Sequence, residues 1–161
     1  MRGTQASPPS RLSTIFVCAM PMEVRPLVRK LSLHKASVGS ATLHIGTLGG
    51  REVAAIVTGM GTALARQGVQ RVLDDVSVER LIVVGITGAI DDTTPLGTLI
   101  VPEVVVNSAT GEEFRPAPLG GSASRGTMWT TDALLTAADD FADLRARGVV
   151  SLDMETAAVA E

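Results

Sequence analysis

The chain has 161 residues, of which 45% are hydrophobic and 19% charged, and its formal net charge is −3. That is enough chain to bury one real core, and it is too apolar to stay disordered. No apolar run reaches the roughly 18–20 residues of a membrane-spanning helix. With three Phe, one Trp, no Tyr and no basic excess, it offers neither the stacking platform nor the phosphate-tracking surface of a nucleic-acid binder.

Met1 to Ser13 are polar, carry Pro8-Pro9 and lack the apolar segment of a signal peptide, so 1–13 reads as a disordered N-terminal tail before one domain over 14–161. Thr14–Ala19 is short, apolar and rich in β-formers, a strand. Cys18 within it is the only cysteine, which excludes an internal disulfide and points to a reducing cytoplasm. Its apolar surroundings suit a buried structural thiol better than a reactive one. From Met22, Val24, Leu27, Val28 and Leu31 recur at helical spacing, with Arg25, Arg29 and Lys30 facing out. Pro26 falls near the first turn, where proline is tolerated. Ala41–Leu48 and Glu52–Thr58 flank Gly49-Gly50, a two-residue hairpin signal. "TGMGTALARQGVQRVLDD" then passes from a strand end into a helix.

Leu81–Val84 is a continuous apolar run, as expected of a strand covered on both faces, and it ends in the loop "GITGAIDDTTPLG". Thr98–Val106 reads as a longer strand, 107–125 as a mobile excursion, and Gly126–Thr130 as a short strand. Asp132–Arg147 reads as one or two helices and Val149–Leu152 as the last strand, after which Asp153-Met154-Glu155 opens a final helix. Strands alternating with helices predict an α/β chain, a three-layer α/β/α fold with a central mixed sheet. Ligands in such folds gather beyond the carboxyl ends of the strands.

Four strand ends carry unusual residues: Met20–Glu23, Thr58–Gly61, Gly85–Gly88 and Asp153–Glu155. Each also has a plain structural reading. Glu23 suits a solvated acid at a helix N-terminus, and Gly85-Ile86-Thr87-Gly88 suits a tight turn. Gly59-Met60-Gly61 is no dinucleotide fingerprint, because Leu64 stands where the third glycine belongs. Helix capping explains one acid of Asp153-Met154-Glu155 more readily than two, and an acid held at a strand end can accept hydrogen bonds from the vicinal hydroxyls of a sugar. Two histidines, His34 and His44, and one thiol are poor raw material for zinc.

Taken in order, "CAMPMEV", "VTGMGTALA", "VVGITGAIDDTTPLGTLIVPEVV" and "VSLDMETAAVAE" resemble the nucleoside phosphorylase superfamily, most closely its methylthioadenosine/S-adenosylhomocysteine nucleosidases. The resemblance runs from about Ile15 to Glu161 and implies a nucleoside phosphorylase-like fold. It implies that Glu23 activates the attacking water, that Met20 lines the ribose, and that Met60 meets the 5′ substituent. The backbone around Thr87 and Gly88 would border base and ribose, and Leu135 would lie by the purine. Glu155 would grip the ribose hydroxyls, with Met154 packed on the sugar and Asp153 in support. It further implies a purine nucleoside as substrate, no metal or organic cofactor, and a cytoplasmic homodimer.

Phosphorolytic relatives hold phosphate with an arginine and a small hydroxyl residue, and the matching positions here are Val83 and Ile86, whose side chains bind no anion. Water is therefore the expected nucleophile. Ile86 also departs from the usual hydrolase serine. Relatives continue beyond the helix of "DMETAAVAE" into a strand whose Ser-Asp motif protonates the departing base. The resemblance thus implies a C-terminally shortened domain, with activity reduced by the 10²–10⁴-fold typical of general acid catalysis. The alternatives at this level are a purine nucleoside phosphorylase and a truncated, non-catalytic nucleoside-binding relative.

Overall fold

The computed structural model describes residues 10–136 and 138–161. They form two compact units: one takes the chain up to Gly59 together with Leu64–Gly85, and the other takes Met60–Ala63 with Ile86–Glu161.

The first unit contains β1 (Arg11–Leu12), β2 (Thr14–Cys18), α1 (Pro21–Lys30), β3 (His34–Val38), β4 (Ala41–Leu48), β5 (Arg51–Val57), most of α2 (Thr62–Leu73), β6 (Ser77–Val78) and β7 (Leu81–Val83). Its five-stranded sheet has the order β3-β4-β5-β2-β7. The first three strands run antiparallel, whereas β5, β2 and β7 are mutually parallel, so the sheet is mixed. The β4–β5 turn is the predicted one: Leu48 pairs with Arg51 across Gly49 and Gly50, whose φ values of 58° and 78° are left-handed ones that glycine reaches without steric cost. Cys18, Val24, Leu33, Val53 and Ala55 form the core between α1 and the sheet, with Phe16, Leu27 and Leu31 packed around them.

Three features of this unit differ from expectation. Arg11 and Leu12, assigned to the tail, pair in parallel with Ser77 and Val78, and Leu12 is fully buried. Of the rest of the expected tail, 1–9 lie outside the described residues, and Ser10 and Ser13 make main-chain bonds with Ser77 and Glu52. Strand β3 was not anticipated, because only Val38 of "HKASV" is buried and an exposed edge strand shows little apolar alternation. Leu81, Ile82 and Val83 are half-buried and not fully covered, as suits a strand at the end of the sheet order.

The second unit contains β8 (Gly88–Ala89), β9 (Val104–Asn107), β10 (Glu113–Phe114), β11 (Thr127–Thr130), α3 (Ala138–Ala146), β12 (Val149–Asp153) and α4 (Thr156–Ala160). Its sheet, also five-stranded, runs β10-β9-β11-β12-β8. The three central strands are parallel and the two edges antiparallel. Ile90, Leu144 and Val149 make one cluster, joined by Trp129, Leu135, Phe141 and Leu152. Val105, Met128 and Ala157 make another. The Arg147 guanidinium lies 4.2 Å from the centroid of the Trp129 ring, a cation–π contact.

The long strand expected over Thr98–Val106 is reduced to Val104–Asn107, since Pro102 has no N–H to give a ladder. The stretch 107–125 is not a plain excursion. The Asn107 side chain accepts from Ala109 N at 2.9 Å and builds a turn, after which Glu113 and Phe114 pair with Val106 and Val105. Helix α3 begins only at Ala138. Before it, Asp132 accepts from Thr62 N and the Thr131 hydroxyl from Ala133 N. The expected α/β class with mixed sheets is the one observed, the described strands being divided between two five-stranded sheets and the separate β1–β6 pair. Among the described residues no helix is long and apolar enough to cross a membrane.

Candidate active site

Strand β2 ends at Cys18 and α1 starts at Pro21, so the chain turns at Ala19 and Met20. Met20 is extended, with φ −123° and ψ 150°, and Pro21 at the first helical position presets the entry angle. Glu23, three residues into the helix, turns back and accepts a hydrogen bond from Met20 N at 2.8 Å through Oε2. This is the acidic half of a capping box. The bond does more than cap, because it fixes where the carboxylate points. Gly85 makes room for it: a Cβ there would lie 2.9 Å from Oε1 and 3.2 Å from the carboxyl carbon of Glu23.

Cys18 is fully buried. Its thiol is pushed up to about 12, first by burial and second by the negative charge of Glu23. Burial keeps it a neutral, structural thiol, as its apolar strand context suggests. Thiolate, not thiol, is the reactive form, so a disulfide reagent at pH 8 is expected to leave the native chain unmodified and to titrate one thiol after unfolding. The unfolded chain releases this proton near 9, well before the folded chain does. Cys18 therefore leaves stability intact below about pH 9 and lowers it as pH rises toward 12. Denaturant titrations across that range check this, and Cys18→Ala should flatten the alkaline fall.

In the second unit the end of β12 carries the other acids. Asp153 is a cap. Its Oδ2 accepts from Thr156 N at 2.7 Å and from Glu155 N at 3.3 Å, and its Oδ1 accepts from Thr130 Oγ at 2.6 Å. The buried Thr130 hydroxyl in turn accepts from Ala157 N at 3.1 Å. Glu155 is oriented differently: Oε1 accepts from Gly61 N at 2.7 Å and Oε2 from Met154 N at 3.2 Å. Thr87 donates through Oγ to Leu152 O at 2.5 Å, and Gly88 pairs with Leu152. The Thr87-Gly88 turn thus runs along the strand that delivers Glu155. Met60, next to Gly61, is 60% exposed. Leu135 packs in the cluster that includes Leu152.

The expected site residues are distributed accordingly. Met20 and Glu23 belong to the first unit, and Met60, Thr87, Gly88, Leu135, Asp153, Met154 and Glu155 to the second. Reading the sequence missed Asp132 and Thr62. Thr62 N donates to Asp132 Oδ1 at 3.0 Å, and the Thr62 hydroxyl lies 2.7 and 2.8 Å from the two carboxylate oxygens. The partners are 70 residues apart in sequence, and no local pattern announces them. Among the described residues no group of three His, Cys, Asp or Glu is placed to hold a metal ion.

A family model described as "Phosphorylase superfamily" matches residues 13–123. A 5′-methylthioadenosine/S-adenosylhomocysteine nucleosidase of Maridesulfovibrio salexigens is 33% identical over 91 residues, which are 56% of this chain and 39% of that protein. The match thus spans less than half of the curated relative's length. The structure is also similar to that of a nucleosidase of the same name from S. pneumoniae with a transition-state inhibitor, at a TM-score of 0.77 and 21% identity, covering 92% of this chain and 78% of the other. A third such nucleosidase, from Colwellia psychrerythraea in complex with adenine, gives a TM-score of 0.79 at 23% identity, covering 92% and 75%. At these identities the structural likeness is one of fold. The family match covers more than half of the sequence, and the chain belongs to the phosphorylase superfamily.

Proposed function

We propose that this chain hydrolyses the N-glycosidic bond of a purine nucleoside with a 5′ thioether, methylthioadenosine or S-adenosylhomocysteine, with Glu23 activating water and Glu155 holding the ribose hydroxyls. The observation that carries this reading is the way the two acids are held. Each stands just after a strand end, and each carboxylate is oriented by main-chain N–H groups, Glu23 by Met20 and Glu155 by Gly61 and Met154. The identity to a nucleosidase over 91 residues supports it.

The reaction breaks the C1′–N bond as positive charge grows on the ribose. Water forms the new C1′–O bond and gives a proton to Glu23, and the electron pair of the broken bond leaves on the purine, which takes a proton from solvent. A carboxylate in Glu23's place both accepts that proton and stabilises the developing cation. Met20 and Met154 would supply apolar contact to the sugar, Met60 contact to the 5′ group, and the Thr87-Gly88 backbone and Leu135 a border for the base. Asp153, with both oxygens bonded within the protein, supports the site by capping α4. Val83 and Ile86 carry no group that binds an anion, which favours water over phosphate. By the same reading the chain works in methionine salvage, in the cytoplasm, as a homodimer, without metal or organic cofactor.

Adenine release from methylthioadenosine, followed with and without phosphate, tests the proposal. Release at the same rate in both is expected. A requirement for phosphate would make the protein a phosphorylase.

A smaller change probes the clearance around Glu23. Gly85 has no left-handed φ, so alanine is acceptable to the backbone and acts only through its Cβ. Gly85→Ala should push the Glu23 carboxylate aside slightly and lower kcat by about tenfold, less than the roughly 10²-fold that a full 1 Å misplacement can cost. Circular dichroism and kinetics on the same sample check that the fold is kept while turnover falls.

A further inference from the structure

Met60 sits between two glycines with left-handed backbones, Gly59 at φ 97° and Gly61 at φ 99°. Glycine reaches such values freely, and it reaches many others as well. A turn of this kind does not hold itself in one conformation. Two acids hold this one: Glu155 takes Gly61 N at 2.7 Å, and Asp132 takes both Thr62 N and the Thr62 hydroxyl. The first N–H groups of a helix lack partners within it, and its start favours negative charge. Both carboxylates therefore bind where α2 attracts them. Asp132 also lies on the 131–136 stretch that carries Leu135.

We infer that Asp132 is a positioning residue. Through Thr62 it fixes the Met60-Gly61 turn, and the turn in its place sets both the reach of Met60 toward the 5′ substituent and the orientation of Glu155 toward the ribose. This rests on the proposed nucleosidase reading and extends it to selectivity at the 5′ end. A cap that only stabilised the helix would lower stability and leave the preference between nucleosides unchanged.

The test compares Asp132→Ala, Thr62→Val and Thr62→Ser with the unaltered chain, on methylthioadenosine and on adenosine, which lacks the thioether. Asp132→Ala and Thr62→Val should raise KM for methylthioadenosine about tenfold, and for adenosine about threefold, with kcat nearly unchanged. Thr62→Ser keeps the hydroxyl and should behave as the unaltered chain does. Equal KM changes for the two nucleosides, or none, would overturn the inference. Amide hydrogen exchange in the ligand-free protein gives a readout independent of turnover. In Asp132→Ala, Gly61 and Thr62 should exchange about tenfold faster or more, while the end of α2 is unchanged. Unaltered exchange at these two amides would overturn the inference as well. Absence of adenine release by the unaltered chain would instead count against the nucleosidase reading, and the exchange result would still decide the role of Asp132.

Discussion

Glu23→Gln is expected to lower kcat by about 10²–10⁴-fold, the usual worth of general base catalysis, with KM for the nucleoside close to unchanged. Glutamine has the size of glutamate, and its carbonyl oxygen can still accept from Met20 N, so the start of α1 stays capped. The amide takes no proton from water and presents no negative charge to the sugar cation. The substitution also has a reporter beside it. The charge of Glu23 is the second cause of the raised Cys18 pKa, so removing it should lower the alkaline midpoint of the thiol, read by thiolate absorbance in the ultraviolet. A lowered midpoint with unaltered turnover would show that the substitution acts on the thiol as expected and that Glu23 is not the base.

Glu155→Ala should weaken binding as well as turnover, lowering kcat/KM by about 10²–10⁴-fold, as the loss of two hydrogen bonds to a charged group implies at roughly 1.5–3 kcal/mol each. It also removes the acceptor of Gly61 N, so the Met60 turn loosens and part of the loss is indirect. A substrate without its ribose hydroxyls separates the two contributions. If the hydroxyls are what Glu155 holds, the variant loses much less affinity for the dideoxy nucleoside than for the full one, and what it still loses is the indirect part. Undiminished binding of the full nucleoside by Glu155→Ala would end the ribose assignment.

The elements with strong apolar patterns were legible in the sequence. Strand β2, helix α1, the Gly49-Gly50 hairpin, α2, β11 and β12 fall within a residue or two of where alternation and helical spacing put them. Physics that the pattern does not carry accounts for the rest. Strand β3 is paired by its backbone and not by a buried face. Pro102 leaves the expected strand without a donor, and Asn107 builds its turn from a side chain. Leu12 looked like tail because two residues make no pattern, yet it is fully buried. The candidate site divides in the same way. Glu23 and Glu155 stood out as acids at strand-to-helix junctions, whereas Asp132 acts on Thr62 from 70 positions away. Gly85 matters for an atom it does not have.

The most direct measurement is the identity of the sugar released from methylthioadenosine in phosphate buffer, by mass spectrometry. A free methylthioribose is expected, because water and not phosphate attacks C1′. A methylthioribose 1-phosphate, or a folded chain that binds the nucleoside and releases no adenine, would contradict the proposed hydrolysis.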